Sequence, residues 1–390
     1  MSGNADVSIL PSATPVELSS AAADDPQSGT ALCLSGGGYR AMLYHVGSLW
    51  RLNELGLLRN LDRISSVSGG SITAAVLGLH WHRLAFGAGA GDVAAEFVPE
   101  VVTPIRSLAS RTIDTSSILG GIFSPDSIGE KVEDAYETHL FDDATLQNLP
   151  EDPPRFVFNA TNVQSGSLWR FSKPFMADAR VGRVDAPDTK LASVVAASSA
   201  FPPFLSPCDL ELDPATVAPM EGTDLNHPPF TEKAVLTDGG VYDNLGLETA
   251  WKRCRTILVS DGGGRFADDA RPSRDWLRHS VRILEIVDHQ VRSLRVRQLI
   301  DAYRRGSRLG AYWGIRGDAE NTGVPGALAC PLARTAVLAD TPTRLAELPD
   351  ATQEGLINWG YASCDVALRR FVNPALPAPT NFPYPAVGVG

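Results

Sequence analysis

Positive charge is scarce in this chain. Its 390 residues hold 34 Lys and Arg against 45 Asp and Glu, a formal net charge of −11. Phosphate backbones are held by clustered cations, so this balance argues against a nucleic-acid binder. Cysteine is also sparse: Cys33, Cys208, Cys254, Cys330 and Cys364 are scattered, odd in number and without a CxxC pair. That pattern indicates neither a zinc site nor a disulfide framework, and a reducing compartment fits it best. No run approaches the roughly 18 consecutive apolar residues needed to span a bilayer, so any meeting with lipid is expected at a surface. The N-terminus has no Lys or Arg before Arg40 and no long apolar core, which excludes a signal peptide; residues 1–30 read as a flexible leader rich in Ser, Ala and Pro. A cytoplasmic protein, at most peripheral to a membrane, is the expectation.

What is present is an ordinary globular composition, 44% hydrophobic and 20% charged, with enough length for one α/β domain with insertions. Apolar "ALCL" at 31–34 reads as a buried strand, and Met42, Leu43, Val46, Leu49, Trp50 and Leu52 then recur at a helical period. "RISSV" at 63–67 is the next strand and 69–84 the next helix. This βαβα unit predicts a mostly parallel central sheet flanked by helices. A right-handed crossover places both strand ends at one sheet edge, so the two glycine-rich turns should lie side by side. Residues 85–155 read as an insertion with a capped helix from Ser124 or Pro125, followed by a hairpin over 155–163 and 168–172. A small-residue helix capped by Asp188 or Thr189 is expected before Pro202. Strand–turn–helix alternation resumes at 233–254, and a strand at 256–264 ends in "SDGGG". Residues 275–309 form a basic helical stretch, expected to pack its apolar stripe inward and solvate its arginines; lying on anionic headgroups is the other reading. Residues 374–390 are a Pro-rich tail, leaving 31–373 as one domain.

Three turns carry the chemistry. Gly36, Gly37 and Gly38 lead into a helix N-terminus, where backbone N–H groups lack intrahelical acceptors and suit an anion. That anion is either a bound phosphate, since Gly36, Gly38 and Ala41 satisfy a loose GxGxxA pattern, or the oxyanion of an acyl transfer. Arg40 in the first helical turn opposes the helix dipole. It is either a surface arginine paired with a carboxylate or a charge that holds the loop or an anion. In "SSVSGGS", Ser68 sits between strand and helix with Ser66 and Gly70 two residues to either side, the small flanks that a nucleophile elbow needs. Ser66 and Ser71 are competing nucleophiles, and a plain serine N-cap is the alternative. No histidine stands in a recognisable catalytic context, although His279 and His289 follow Asp238 in a Ser, Asp, His order. Asp238 ends a strand before Gly239 and Gly240, where a desolvated carboxylate can take a serine proton directly. Asp261 ends the next strand and competes for that role.

Together, "SGGGYR" (35–40), "SVSGG" (66–70), "ASSAFPPF" (197–204) and "DGGVYDN" (238–244) resemble the patatin-like phospholipases, and the first block also resembles the cytosolic phospholipase A2 group. The resemblance covers about 31–264 and implies a patatin-like three-layer α/β fold. It implies a lipid acyl hydrolase with Ser68 as nucleophile, Asp238 as general base, and Gly36, Gly37, Gly38 and Arg40 at the oxyanion hole, with Ser66 and Gly70 supporting the elbow. Ser66 departs from the family's elbow glycine, and Ser35 from its frequent Asp or Gly. The short leader leaves no room for a calcium-binding module, so neither metal nor cofactor is expected, and the partner is a lipid substrate at a membrane surface. A catalytically weak binding or regulatory module and a nucleotide-binding protein are the alternatives. For the latter, the acid expected at the end of the second strand to hold a ribose is replaced by Ser66, Val67 and Ser68.

Overall fold

Alternation of side chains across short apolar strands builds the molecule in layers. A computed structural model describes residues 27–87, 92–114, 125–203, 205–264, 266 and 268–390. Among these, ten strands share one sheet: β1 (Gln27–Leu34), β2 (Arg63–Val67), β3 (Arg155–Asn162), β4 (Ser167–Ser172), β5 (Phe175–Asp178), β6 (Gly182–Asp185), β7 (Cys208–Glu211), β8 (Lys233–Asp238), β9 (Cys254–Asp261) and β10 (Leu309–Gly314). Their order is β10-β9-β1-β2-β3-β4-β5-β6, with β8 on β3 and β7 on β8. From β10 to β3 the pairing is parallel, and beyond β3 it is antiparallel.

The helices are α1 (Gly38–Glu54), α2 (Gly69–Leu79), α3 (Thr103–Ala109), α4 (Pro125–Tyr136), α5 (Leu191–Ser198), α6 (Gly240–Asp243), α7 (Glu248–Trp251), α8 (Trp276–Arg305), α9 (Leu332–Ala339) and α10 (Asp350–Phe371). In β1, Leu32 and Leu34 join the core formed with α1, α2, α5 and α10, whereas Ala31 and Cys33 face a second core with α7 and α8. Period-two alternation along a parallel strand buried on both sides thus yields three layers. α10 packs along α1 and is buried on nearly every side.

Several expectations need correction. β1 begins at Gln27, inside the stretch read as leader; residues 1–26 lie outside the described residues, as do parts of the expected insertion at 88–91 and 115–124, Ser124 included. The helix before Pro202 is the shorter α5, preceded by Lys190 and lacking a side-chain cap, because Asp188 and Thr189 stand ahead of its first turn. β8 does not extend the parallel alternation but runs antiparallel to β3. α8 meets the expectation only in part: Leu299 and Ala302 pack inward and Arg278, Arg297, Arg304 and Arg305 are exposed, but Arg292 is buried, while Trp276, Ile283, Leu284, Val287 and Leu294 are exposed. The reason is the buried Asp261 carboxylate, which Arg292 meets at 2.6 Å. Ionised groups are tolerated inside only when paired. The Pro-rich tail is docked, with the Asn358 side chain on α10 donating to the Tyr384 and Gly388 carbonyls and accepting from the Tyr384 N–H.

Candidate active site

The two glycine turns do lie side by side, because β1 and β2 pair in register from Ala31 opposite Arg63 to Leu34 opposite Ser66. A methyl group placed on Gly36 would sit 3.1 Å from Ser68 Cβ. One on Gly70 would sit 2.4 Å from the Leu34 carbonyl oxygen, so only glycine lets α2 approach the end of β1 this closely. Ser68 itself takes φ 52 and ψ −122, a conformation that non-glycine residues adopt only when held. It stands at the N-cap of α2, yet its side chain makes no capping bond. Its hydroxyl instead faces the Asp238 carboxylate and favours that group's ionised form.

That meeting follows from how β3 shares its edge. β2 ends at Val67 opposite Asn159, and from Ala160 onward β8 arrives from the opposite direction with Asp238 opposite Ala160. β4 occupies the other edge of β3 over the same residues. Ser68 and Asp238 are therefore the residues at which two strand ends meet head-on. The Asp238 N–H donates to the Ala200 carbonyl at 2.9 Å, and the Gly240 N–H donates to Asp238 Oδ1 at 2.7 Å. Asp238 is 3% exposed. Burial pushes its pKa up to about 7 despite the hydrogen bond from Gly240 and the nearby Ser68 hydroxyl, and the Asp288 carboxylate on α8 adds to the rise.

Beneath the elbow lies a chain of serine hydroxyls. Ser198 Oγ, at the end of α5, accepts the Ser68 N–H at 3.1 Å and donates to the Asn159 carbonyl at 2.7 Å. Ser71 Oγ lies 2.9 Å from Ser198 Oγ and donates to Ser66 Oγ at 3.0 Å. Ser66 in turn donates to the Val157 carbonyl. Ser66 and Ser71, the competing nucleophiles, are thus fully buried members of this brace.

The glycine loop divides its donors. The Gly36 N–H donates to the Asn244 carbonyl at 3.1 Å, so its position in the expected oxyanion hole is already occupied by protein. Gly37 and Gly38 have positive φ and, among the described residues, no acceptor for their N–H groups. Arg40 is neither a surface residue nor paired with a carboxylate by a hydrogen bond. It is buried, its Nε donates to the Gly262 carbonyl at 3.0 Å and its Nη1 to that of Thr341, and burial lowers its pKa to about 10. Arg40 therefore ties the start of α1 to the turn after β9. Ser35 makes a second tie to that turn, its Oγ accepting the Gly262 N–H at 2.9 Å.

Asp261 is engaged elsewhere. Arg292 grips both its oxygens, and Tyr312 Oη and the Gly263 N–H donate to it. Burial would raise its carboxyl, but Arg292 holds it below the ordinary range. His279 is exposed, and His289 stacks on Phe266. Neither is seen bonding to Ser68 or Asp238. Sequence reasoning missed His45, which is buried and joins Ser35 to Ser260 through its two ring nitrogens, at 2.9 and 2.8 Å. It missed the role of Ser198 as well, although the block containing it was visible. Among the described residues, no group of three or more His, Cys, Asp or Glu is arranged to hold a metal ion.

A family model described as "Patatin-like phospholipase" matches residues 32–251. Among solved structures, human GIVD cytosolic phospholipase A2 aligns at 13% identity over 87% of this chain and 58% of its own, with a TM-score of 0.44. Its complex with methyl gamma-linolenyl fluorophosphonate aligns at 14% identity over 88% and 58%, with a TM-score of 0.48. VipD from Legionella pneumophila aligns at 14% identity over 86% and 66%, with a TM-score of 0.35. The present chain thus spans about 58% of the length of the human structures it matches. No curated protein sequence matches it.

Proposed function

Because the chain belongs to the patatin-like phospholipase family, we propose that it is a lipid acyl hydrolase working through a Ser68/Asp238 dyad. The observation that carries this reading is that the Ser68 hydroxyl, free of any capping role, faces a buried carboxylate whose pKa is pushed up to about 7. In the proposed reaction Ser68 Oγ attacks the ester carbonyl carbon while its proton passes to Asp238. The Gly37 and Gly38 N–H groups donate to the oxyanion that forms, and Arg40 and Ser35 keep that loop in place. Collapse expels the alcohol, which takes the proton from Asp238. Water, deprotonated by the same carboxylate, then attacks the acyl-enzyme carbonyl, and collapse releases the fatty acid and Ser68 Oγ, which takes that proton back from Asp238. Every step uses groups of this chain and the two substrates alone.

Among the described residues no helix is long and apolar enough to cross a membrane. We infer a cytoplasmic enzyme that meets its lipid at a surface. A fluorophosphonate probe should label the protein, and Ser68→Ala should abolish both labelling and hydrolysis of a p-nitrophenyl ester. Asp238→Asn should lower that hydrolysis by about 10³-fold or more. Labelling that persists in Ser68→Ala would remove Ser68 from the role. A wild-type protein that neither labels nor hydrolyses would favour a binding or regulatory module instead.

A further inference from the structure

α8 is anchored through its polar side. Arg292 donates to Asp261 and to the Gly263 and Gly264 carbonyls, and Arg295 reaches the Tyr242 carbonyl, Asp243 and Glu248. On the side opposite Arg292, the residues Trp276, Ile283, Val287 and Leu294 follow one another at spacings of seven, four and seven, which is a single helical stripe. Their exposures are 79%, 46%, 53% and 57%. A stripe of this kind normally faces a core.

Two further exposed apolar side chains lie near Ser68 and Asp238. Val241, 53% exposed, lies on α6 three residues after Asp238, and α6 packs against α8. Phe201, 47% exposed, follows Ala200, whose carbonyl accepts the Asp238 N–H. Between Arg271 and Arg305 stand nine arginines and four acids, in a chain of net charge −11, and of these arginines Arg292 and Arg295 are engaged on the inner side with Asp261, Asp243 and Glu248. Arg278, Arg297, Arg304 and Arg305 are exposed.

We propose that the outer stripe of α8, with Val241 and Phe201, is a docking surface for an anionic lipid assembly, and that lipid reaches Ser68 across it. This rests on the hydrolase reading given above. An apolar stripe beside exposed arginines matches the interface of such an assembly, where acyl chains lie below anionic headgroups. A second copy of the chain fits less well. A two-fold contact through the stripe would set one arginine-rich helix against another, and it would cover the apolar residues that flank Asp238.

The test uses the full chain. Ser68→Ala protein, which cannot consume its substrate, is floated with vesicles of phosphatidylcholine alone and of phosphatidylcholine with phosphatidylglycerol. It should bind the anionic vesicles preferentially, and less so as salt rises. Trp276→Ser, Ile283→Asp and Val287→Asp combined, and separately Arg297→Glu with Arg304→Glu, should each weaken binding by about tenfold or more. Because these side chains are exposed, thermal melts should match the parent. In active protein the triple variant should keep hydrolysis of a soluble short-chain p-nitrophenyl ester while losing hydrolysis of vesicle lipid.

Unchanged vesicle binding in the triple variant overturns the docking surface, even if the soluble ester is still cleaved. Absence of vesicle binding by the parent overturns it too, as does a parent dimer by light scattering that the triple variant makes monomeric while vesicle binding is unaltered. Binding through the stripe by a protein that no fluorophosphonate labels would instead retain the surface and remove the hydrolase reading.

Discussion

Ser198 Oγ accepts the backbone N–H of Ser68 at 3.1 Å, across 130 residues of chain. The same hydroxyl donates to Asn159, so it ties the elbow to β3. The positive φ of Ser68 costs about 1–3 kcal/mol and persists only where its surroundings determine it. Ser198→Ala leaves the buried Ser68 N–H without its acceptor, and about 1–3 kcal/mol of stability should be lost in denaturant titrations. On the proposed reading kcat should fall while KM stays near the parent value, and Ser198→Thr, which keeps the hydroxyl, should recover part of kcat. Equal losses with Ala and Thr would mean that packing, not the hydrogen bond, is what matters.

Asp238 is held at the expense of stability. Its pKa rises from an ordinary carboxyl value of 3.8 to about 7. The folded state therefore binds this proton more tightly than the unfolded chain does. Its own contribution to stability falls as pH rises from about 4 to about 7 and is level above that, by roughly 4 kcal/mol in total. Asp238→Asn should melt higher than the parent at pH 8, with the margin closing toward pH 4, while hydrolysis is lost. In the parent, kcat/KM should rise with pH to a limb near 7, because the base must be ionised to accept a proton. A limb near 4, or a stability margin independent of pH, contradicts this assignment.

The first βαβα unit is legible in the sequence because strand length, glycine punctuation and helical period agree over residues 31–84. The two ends of the proposed dyad are legible for the same reason: Ser68 and Asp238 each close a strand before glycines. What brings them together is not, since the head-on meeting of β2 and β8 depends on which edge of β3 stays open. α10 escapes because its polar residues do not mark a solvated face. Asp365 is buried against Arg51 and Arg369, and Asn358 binds the C-terminal tail. β5, β6 and β10 have four to six residues each and give no periodic signal of their own. In α8 the period is readable, but the buried face is chosen by Asp261 and Asp243, distant carboxylates that local pattern does not reveal.

Asp261 and Arg292 form a buried pair, and breaking such a pair from one side costs about 3–5 kcal/mol. Arg292→Leu, which strands the carboxylate, should be the most destabilising change considered. Asp261→Asn should also destabilise, yet the protein that remains folded should keep hydrolysis within about tenfold of the parent, since the carboxylate is bound by Arg292 and Tyr312. This is the inverse of the pattern expected for Asp238→Asn. If folded Asp261→Asn were inactive and Asp238→Asn active, the two aspartates would exchange roles.

His45 carries the opposite pH sign. It is fully buried between the Ser35 carbonyl, to which Nε2–H donates in the tautomer that satisfies both partners, and the Ser260 hydroxyl. Burial lowers its pKa from 6.5 to about 4. Here the unfolded chain binds the proton more tightly, so stability falls as pH drops from about 6.5 to about 4, by roughly 3 kcal/mol. Asp238 gains stability over nearly the same interval, so in the parent the two slopes offset. Each single variant should expose the slope of the other residue. Relative to the parent, Asp238→Asn should lose stability on acidification from pH 6.5 to 4, and His45→Gln should gain it, while in the double variant the two changes offset. Thermal melts across that interval measure all three. If His45→Gln kept the parent's profile, the Asp238 carboxyl would not change its proton binding on folding, and the proposed base would lose the buried environment on which its high pKa depends.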